Sequence, residues 1–172
     1  MFLNFIKDFG LKKIIKISLS NYKPIASHDK ITTIGILIDE NYFSNKQALI
    51  EVLVKNGINL NAIETLSFFD RIKKGDAPDC CHYTRKDISA AGTFEKAEVA
   101  DFINKKFDML ISYYDVEKAP LVLATIKSRA TFKVGFGTID KCLNNFTIAS
   151  QAEKYEEFVA ELFKYLKILN KI

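Results

Sequence analysis

Three sets of residues in this chain have types and spacing that could do chemistry. The first is Val134-Gly135-Phe136-Gly137, a G-x-G spelling of the kind that lets backbone N–H groups approach a phosphate. The second is a series of acids that end apolar runs: Asp39 and Glu40 after "ITTIGILI", Asp70 after "TLSFF", and Asp115 after "LISYY". Carboxylates gathered in this way can hold Mg²⁺, because a hard cation wants several oxygens at once. The third is Cys80-Cys81-His82, whose thiols and imidazole are the groups of zinc sites and of cysteine nucleophiles.

Each set depends on the elements that would position it. Ile31 to Ile38 is too apolar and too rich in β-branched residues for a strand with one wet face, so it reads as a central strand covered on both sides. Ser44-Asn45-Lys46-Gln47 has the spelling of a capping box and predicts a helix start there. That helix has Ala48, Leu49, Val52 and Leu53 on its apolar face, and Gly57 ends it. A second strand is expected within Leu60 to Phe69. Asp70 to Gly92 is polar, with a short third strand near Cys80 to Tyr83. Thr93 is placed to cap a helix reaching about Lys106. "FDMLISYY", a helix opened by Pro120, "TFKVGF" and "NFTIA" follow in turn. A second capping box, Ser150-Gln151-Ala152-Glu153, opens a last amphipathic helix with acids at its start and lysines at its end.

Strands alternating with helices at this spacing predict an α/β fold: one Rossmann-like, doubly wound, mostly parallel sheet over residues 31–172. The 172 residues, 48% of them hydrophobic, suit a single domain with a full core. Ligands of such sheets sit beyond the carboxyl ends of the strands, where strand order reverses. The candidate crevice is therefore Asp39, Glu40, Asp115, Gly135 and Gly137. Its first strand-to-helix loop, "DENYFSN", has two carboxylates and no glycine, so a pyrophosphate would meet repulsion there. No G-x-x-x-x-G-K-[ST] occurs in the chain, which excludes a P-loop NTPase.

The acids are read as the wet ends of strands rather than as a Mg²⁺ site. Adjacent cysteines do not converge on one tetrahedral ion, no second C-x-x-C or H-x₃-H pair completes a ligand set, and only His28 offers another imidazole. No catalytic residue, metal or cofactor is expected. Gly135 and Gly137 precede "TIDKCLNN", a polar turn toward another strand rather than a helix, so close packing explains them better than phosphate does.

Charge gathers at the front. Residues 1–30 carry six lysines against Asp8 and Asp29, an excess equal to the net +4 of the whole chain. Lys7, Lys12, Lys13 and Lys16 are the candidate contacts to an anionic partner. On a helical wheel Phe2, Phe5, Ile6 and Phe9 lie opposite Leu11, Ile14 and Ile15, so this basic arm is expected to bend at Gly10 or to meet partners on two faces. The apolar residues of the arm are interrupted by lysines too early for a signal peptide, and no run approaches the ~18 apolar residues of a membrane span. Three sparse cysteines suit a reducing compartment, and a cytoplasmic location is expected.

"FDMLISYYDVEKAPLVLATIKSRATFKVGFG", with "TIGILIDE" and "RKDIS" at Arg85 to Ser89, resembles a family of small uncharacterised Rossmann-like proteins of Bacteroidota. The same stretch is distantly similar to the N-terminal domain of heptosyltransferase-type glycosyltransferases. No counterpart of their donor-binding C-terminal domain is expected here, and Asp39-Glu40-Asn41-Tyr42 stands where they carry a Gly-Asp pair after the first strand, so no catalytic residue carries over. Two functions follow as expectations. One is a non-catalytic binding module that holds a macromolecule, RNA or a ribosome or a protein complex, through its basic arm. The alternative is a glycosyltransferase-like module with a sugar nucleotide in the crevice; peripheral membrane contact ranks behind both.

Overall fold

A computed structural model describes residues 2–23, 29–73, 75 and 78–172, with backbone alone for 2–9. The chain is a mixed α/β fold. Its strands are β1 (Ile34–Asp39), β2 (Ile63–Phe68), β3 (His82–Tyr83), β4 (Met109–Tyr113), β5 (Phe132–Phe136) and β6 (Phe146–Ile148). Its helices are α1 (Phe2–Asn21), α2 (Lys46–Lys55), α3 (Ala97–Asn104), α4 (Ala119–Lys127) and α5 (Tyr155–Ile168). The six strands form one sheet in the order β3-β2-β1-β4-β5-β6, and every adjacent pair is parallel. Strand order reverses between β1 and β4, so the switch point lies between Asp39 and Tyr113.

Each residue of β1, β4 and β5 is buried, as their unbroken apolar runs require of strands covered on both faces. Helix α4 packs with α1 and α3 on one face, and α2 packs with α5 on the other. Alternation along β4 sorts its end between them. Tyr113 meets Phe43, Phe136 and Phe158 on the α5 side, while the Tyr114 hydroxyl reaches Thr125 of α4 at 2.8 Å. At the opposite end, Asp108 ties β4 to the entry of β1: its Oδ2 accepts from the backbone N–H and the hydroxyl of both Thr32 and Thr33, at 2.7 to 3.0 Å.

Several expectations about helix ends are corrected. Helix α2 starts at Lys46, with Asn45 before it and no side-chain cap, so the Ser44–Gln47 box does not form. Helix α5 starts at Tyr155, and Ser150 Oγ has no hydrogen-bond partner among the described residues. The backbone N–H of Ala152, at the N2 position of that reading, donates to Asp115 Oδ2 instead. Thr93 does not cap α3, which begins at Ala97; it closes a small loop with Ser89 beside the Ile88–Phe94 bridge. Gly57 does end α2, at φ +101, and acids lead α5 as expected.

The arm is one continuous helix through Gly10 rather than a helix broken there. Leu11 and Ile15 are buried in the domain core, Ile14 meets Gly92, and Lys12, Lys13 and Lys16 are exposed. The side chains of Phe2, Phe5, Ile6, Lys7 and Phe9 lie outside the described residues, as does His28.

Candidate ligand crevice

The carboxyl ends of β1, β2 and β4 do bring acids together, but each acid is already engaged. Asp39, 2% exposed, accepts at Oδ1 from the Asn41 backbone N–H at 3.1 Å and from the Asn41 side-chain amide. Its other oxygen, Oδ2, pairs with Lys118 Nζ at 3.0 Å. Lys118 also reaches Asp70 Oδ2 at 2.8 Å and lies over the rings of Tyr42 and Phe68. Burial alone would lower the pKa of Lys118, but the two carboxylates outweigh it and hold the pKa above the usual lysine value. Lys118 also sits just before α4, where a helix dipole disfavours a cation, so the carboxylates offset that as well.

Glu40 is part of a second cluster. Its Oε1 accepts the Ser67 hydroxyl at 2.7 Å and pairs with Lys46 Nζ at 3.0 Å; Lys46 in turn donates to Ser67 Oγ at 3.2 Å. A serine beside a lysine has the composition of a nucleophile and its base. Here Ser67 is fully buried in β2 and its proton is held by Glu40, so the cluster joins β1, β2 and α2 rather than offering an attacking oxygen.

Asp115 lies across the switch point and serves loops instead of a ligand. Its Oδ2 accepts from the Ala152 N–H at 3.1 Å, and its carbonyl accepts the Thr138 hydroxyl at 2.7 Å. Glu117 accepts from the Asp140 N–H at 2.7 Å. Gly135 lies within β5, where a Cβ would stand 2.5 Å from Asn144 Nδ2, so it exists to admit that buried asparagine. Gly137 donates its N–H to the Ile148 carbonyl at 2.8 Å and continues the pairing with β6. The five predicted crevice residues thus border one end of the sheet. Asp39 and Glu40 sit in ion-pair clusters, Asp115 holds a loop, and the glycines pack.

A family model matches residues 7–169. The chain belongs to the DUF6913 family, a family of unknown function. No curated protein and no solved structure matches the chain.

In this DUF6913 chain the cysteine cluster takes no metal-like form. Among the described residues no three His, Cys, Asp or Glu side chains converge as a ligand set. His82 Nδ1 lies 2.7 Å from the Cys80 carbonyl, and Cys81 Sγ points to the Glu98 carbonyl at 3.7 Å. Burial, reinforced by Glu98, pushes the Cys81 thiol up to about 11, which disfavours the thiolate a nucleophile needs. The "RKDIS" stretch is loop architecture. Thr84 and Asp87 form a capping box, Arg85 Nη1 donates to the Ile88 carbonyl at 3.1 Å, and Asp87 faces Lys96.

Reasoning from the sequence missed Lys118, Lys46, Ser67 and Lys133. Lys118 had a signal, a cation directly before the Ala-Pro start of a helix. Lys133 had one too, a single lysine inside "TFKVGF". Its side chain is 3% exposed, donates to the Thr125 carbonyl at 2.6 Å and lies 4.9 Å from the centre of the Tyr22 ring. Burial pushes its pKa down to about 8, and no carboxylate offsets this.

Proposed function

We propose that the protein is a non-catalytic binding module that docks on RNA, foremost that of the ribosome, through the solvent-facing lysines of α1. The observation that carries this reading is the division of the arm. Leu11 and Ile15 anchor the helix in the core, while Lys12, Lys13 and Lys16 stand exposed with no ion-pair partner among the described residues. Lysines set rigidly on a docked helix can neutralise phosphates without the entropy loss of ordering a free arm. The crevice favours this over a sugar-nucleotide module, because Lys118 and Lys46 already occupy its carboxylates. We place the protein in the bacterial cytoplasm, among Bacteroidota proteins, on its resemblance and on its three free thiols.

Removing the arm would expose the core around Leu11 and Ile15, so charge reversal is the cleaner test. The triple variant Lys12→Glu, Lys13→Glu, Lys16→Glu should fold as wild type and lose cosedimentation with ribosomes at low salt. Wild-type cosedimentation should itself weaken steeply as salt rises. Equal sedimentation of the two proteins would refute the reading.

A further inference from the structure

The opposite end of the sheet, at the start of β5, holds the less explained chemistry. Where β5 begins, a cavity of about 470 Å³ opens between the end of α1, the turn after α3 and the turn after α4. Lys23, Lys106 and Arg129 stand exposed around it, and Lys133 lies buried at its floor. Among the described residues no acidic side chain lines it. We propose that this cavity is a binding site for a phosphomonoester dianion, such as a small organic phosphate or phosphate itself. The site is separate from the exposed face of α1 and does not depend on it.

The chemistry of the lining selects the ligand. Four cations without a counter-charge favour a dianion over a single carboxylate, and arginine with lysine is the pairing that phosphate oxygens accept best. A phosphomonoester carries close to two charges near neutral pH. The floor also selects a terminal group. Lys133 is 3% exposed, so a phosphodiester flanked by two nucleosides does not reach it, whereas a terminal phosphate does.

Donors are available at the floor. Of the three N–H groups of Lys133, one is used on the Thr125 carbonyl and another side of the ammonium faces the Tyr22 ring. Ser128, 6% exposed, accepts from the Ala130 N–H at 3.3 Å, and its own hydroxyl proton has no acceptor among the described residues. A buried ammonium lacking a carboxylate is costly to the fold, and a bound dianion supplies the missing charge. The volume lies within the range of small-ligand sites.

The test is calorimetric titration of the intact protein at pH 7 with inorganic phosphate and, separately, with a nucleoside 5′-monophosphate. One saturable site is expected, weakened by about tenfold or more in Lys133→Met and in Arg129→Ala, and unchanged in Lys55→Ala on α2. Arg129 is exposed on the rim, so its variant keeps the test sound if Lys133→Met repacks the floor. Tighter binding of the nucleotide identifies an organic phosphate as the ligand; equal or tighter binding of inorganic phosphate identifies the free ion. Repeating the titration at pH 8 in buffers of different ionisation enthalpy should reveal proton uptake, because a bound dianion returns the proton that burial drives from Lys133. Tyr22 and Lys23 after α1, Lys106 after α3 and Arg129 after α4 are the other ionisable groups facing the site among the described residues. Absence of saturable heat with both ligands, or unaltered binding in Lys133→Met, would overturn the proposal.

Discussion

Replacing Lys133 with methionine should stabilise the protein, and by an amount that depends on pH. The ammonium has been moved from the ordinary lysine value of 10.5 down to about 8, and burial is the cause. At about 1.4 kcal/mol for each tenfold change, that difference corresponds to roughly 3 kcal/mol of penalty on the charged form at neutral pH. Methionine fills a similar volume without charge, but it leaves the Thr125 carbonyl at the end of α4 without its donor, a loss of roughly 1–2 kcal/mol. The net expectation is a gain of roughly 2 kcal/mol at pH 7, or a rise in Tm of about 4–8 °C for a chain of this length.

The direction with pH follows from the lowered folded-state pKa. Between about 8 and 10.5 the unfolded chain binds a proton at this residue and the folded chain does not, so wild type gains stability as pH rises. About 2 kcal/mol of the gap between the two proteins should close from pH 7 to pH 9.5. Cys81, raised to about 11, and the buried tyrosines titrate in both proteins, so subtracting one stability curve from the other isolates Lys133. Urea denaturation in phosphate-free buffer across that range is the assay. A gap that stays constant with pH, or a Lys133→Met protein less stable than wild type at pH 7, would refute the account of an uncompensated buried charge.

Two further outcomes test the ends of the sheet. Lys118→Met should destabilise by about 3 kcal/mol in denaturant unfolding, because it leaves the buried Asp39 carboxylate without its cation, and adding Asp39→Asn should recover part of the loss. A loss below about 1 kcal/mol would show that the Asp39–Lys118–Asp70 cluster does not hold the crevice together. For Asp108, burial would raise the carboxyl pKa, but the hydrogen bonds from Thr32 and Thr33 outweigh it and lower the pKa. Its contribution is therefore present above the unfolded carboxylate value and lost as pH falls through the lowered folded one. Asp108→Asn should cost roughly 1–2 kcal/mol at pH 7 and show a weaker acid dependence than wild type; parallel acid-denaturation curves would count against this.

The parts of the fold that were legible in the sequence are those where one strong pattern had no competitor. "ITTIGILI", "FDMLISYY" and "TFKVGF" each contain most or all of a fully buried parallel strand, shorter at its start than the apolar run, since such a run has no other way to leave water. Helix starts were less legible, because a cap is a local offer that tertiary structure can outbid. At Ser150 the box spelling is intact, yet the Ala152 N–H goes to Asp115, a residue placed nearby only by the folded sheet. Gly10 misled for a related reason. A glycine in a helix reads as weakness, but here Leu11 and Ile15, which follow it, anchor the helix in the core. The acids of the crevice were found, and the lysines that neutralise them were not, because ion pairs between distant segments leave no periodic trace.

Charge compensation distinguishes the two ends of the sheet. At the carboxyl ends, where a Rossmann-like sheet ordinarily receives its ligand, Asp39 and Asp70 share Lys118, and Glu40 shares Lys46 with Ser67. That end is satisfied from within, and a ligand entering it would have to displace ion pairs that join β1, β2, α2 and α4. At the opposite end four cations surround one cavity with no carboxylate among the described residues, and burial lowers the pKa of the most buried of them. Uncompensated groups of this kind mark sites where binding supplies what folding leaves out. If so, phosphate added to the buffer should stabilise wild type more than Lys133→Met and narrow the stability gap between them at pH 7.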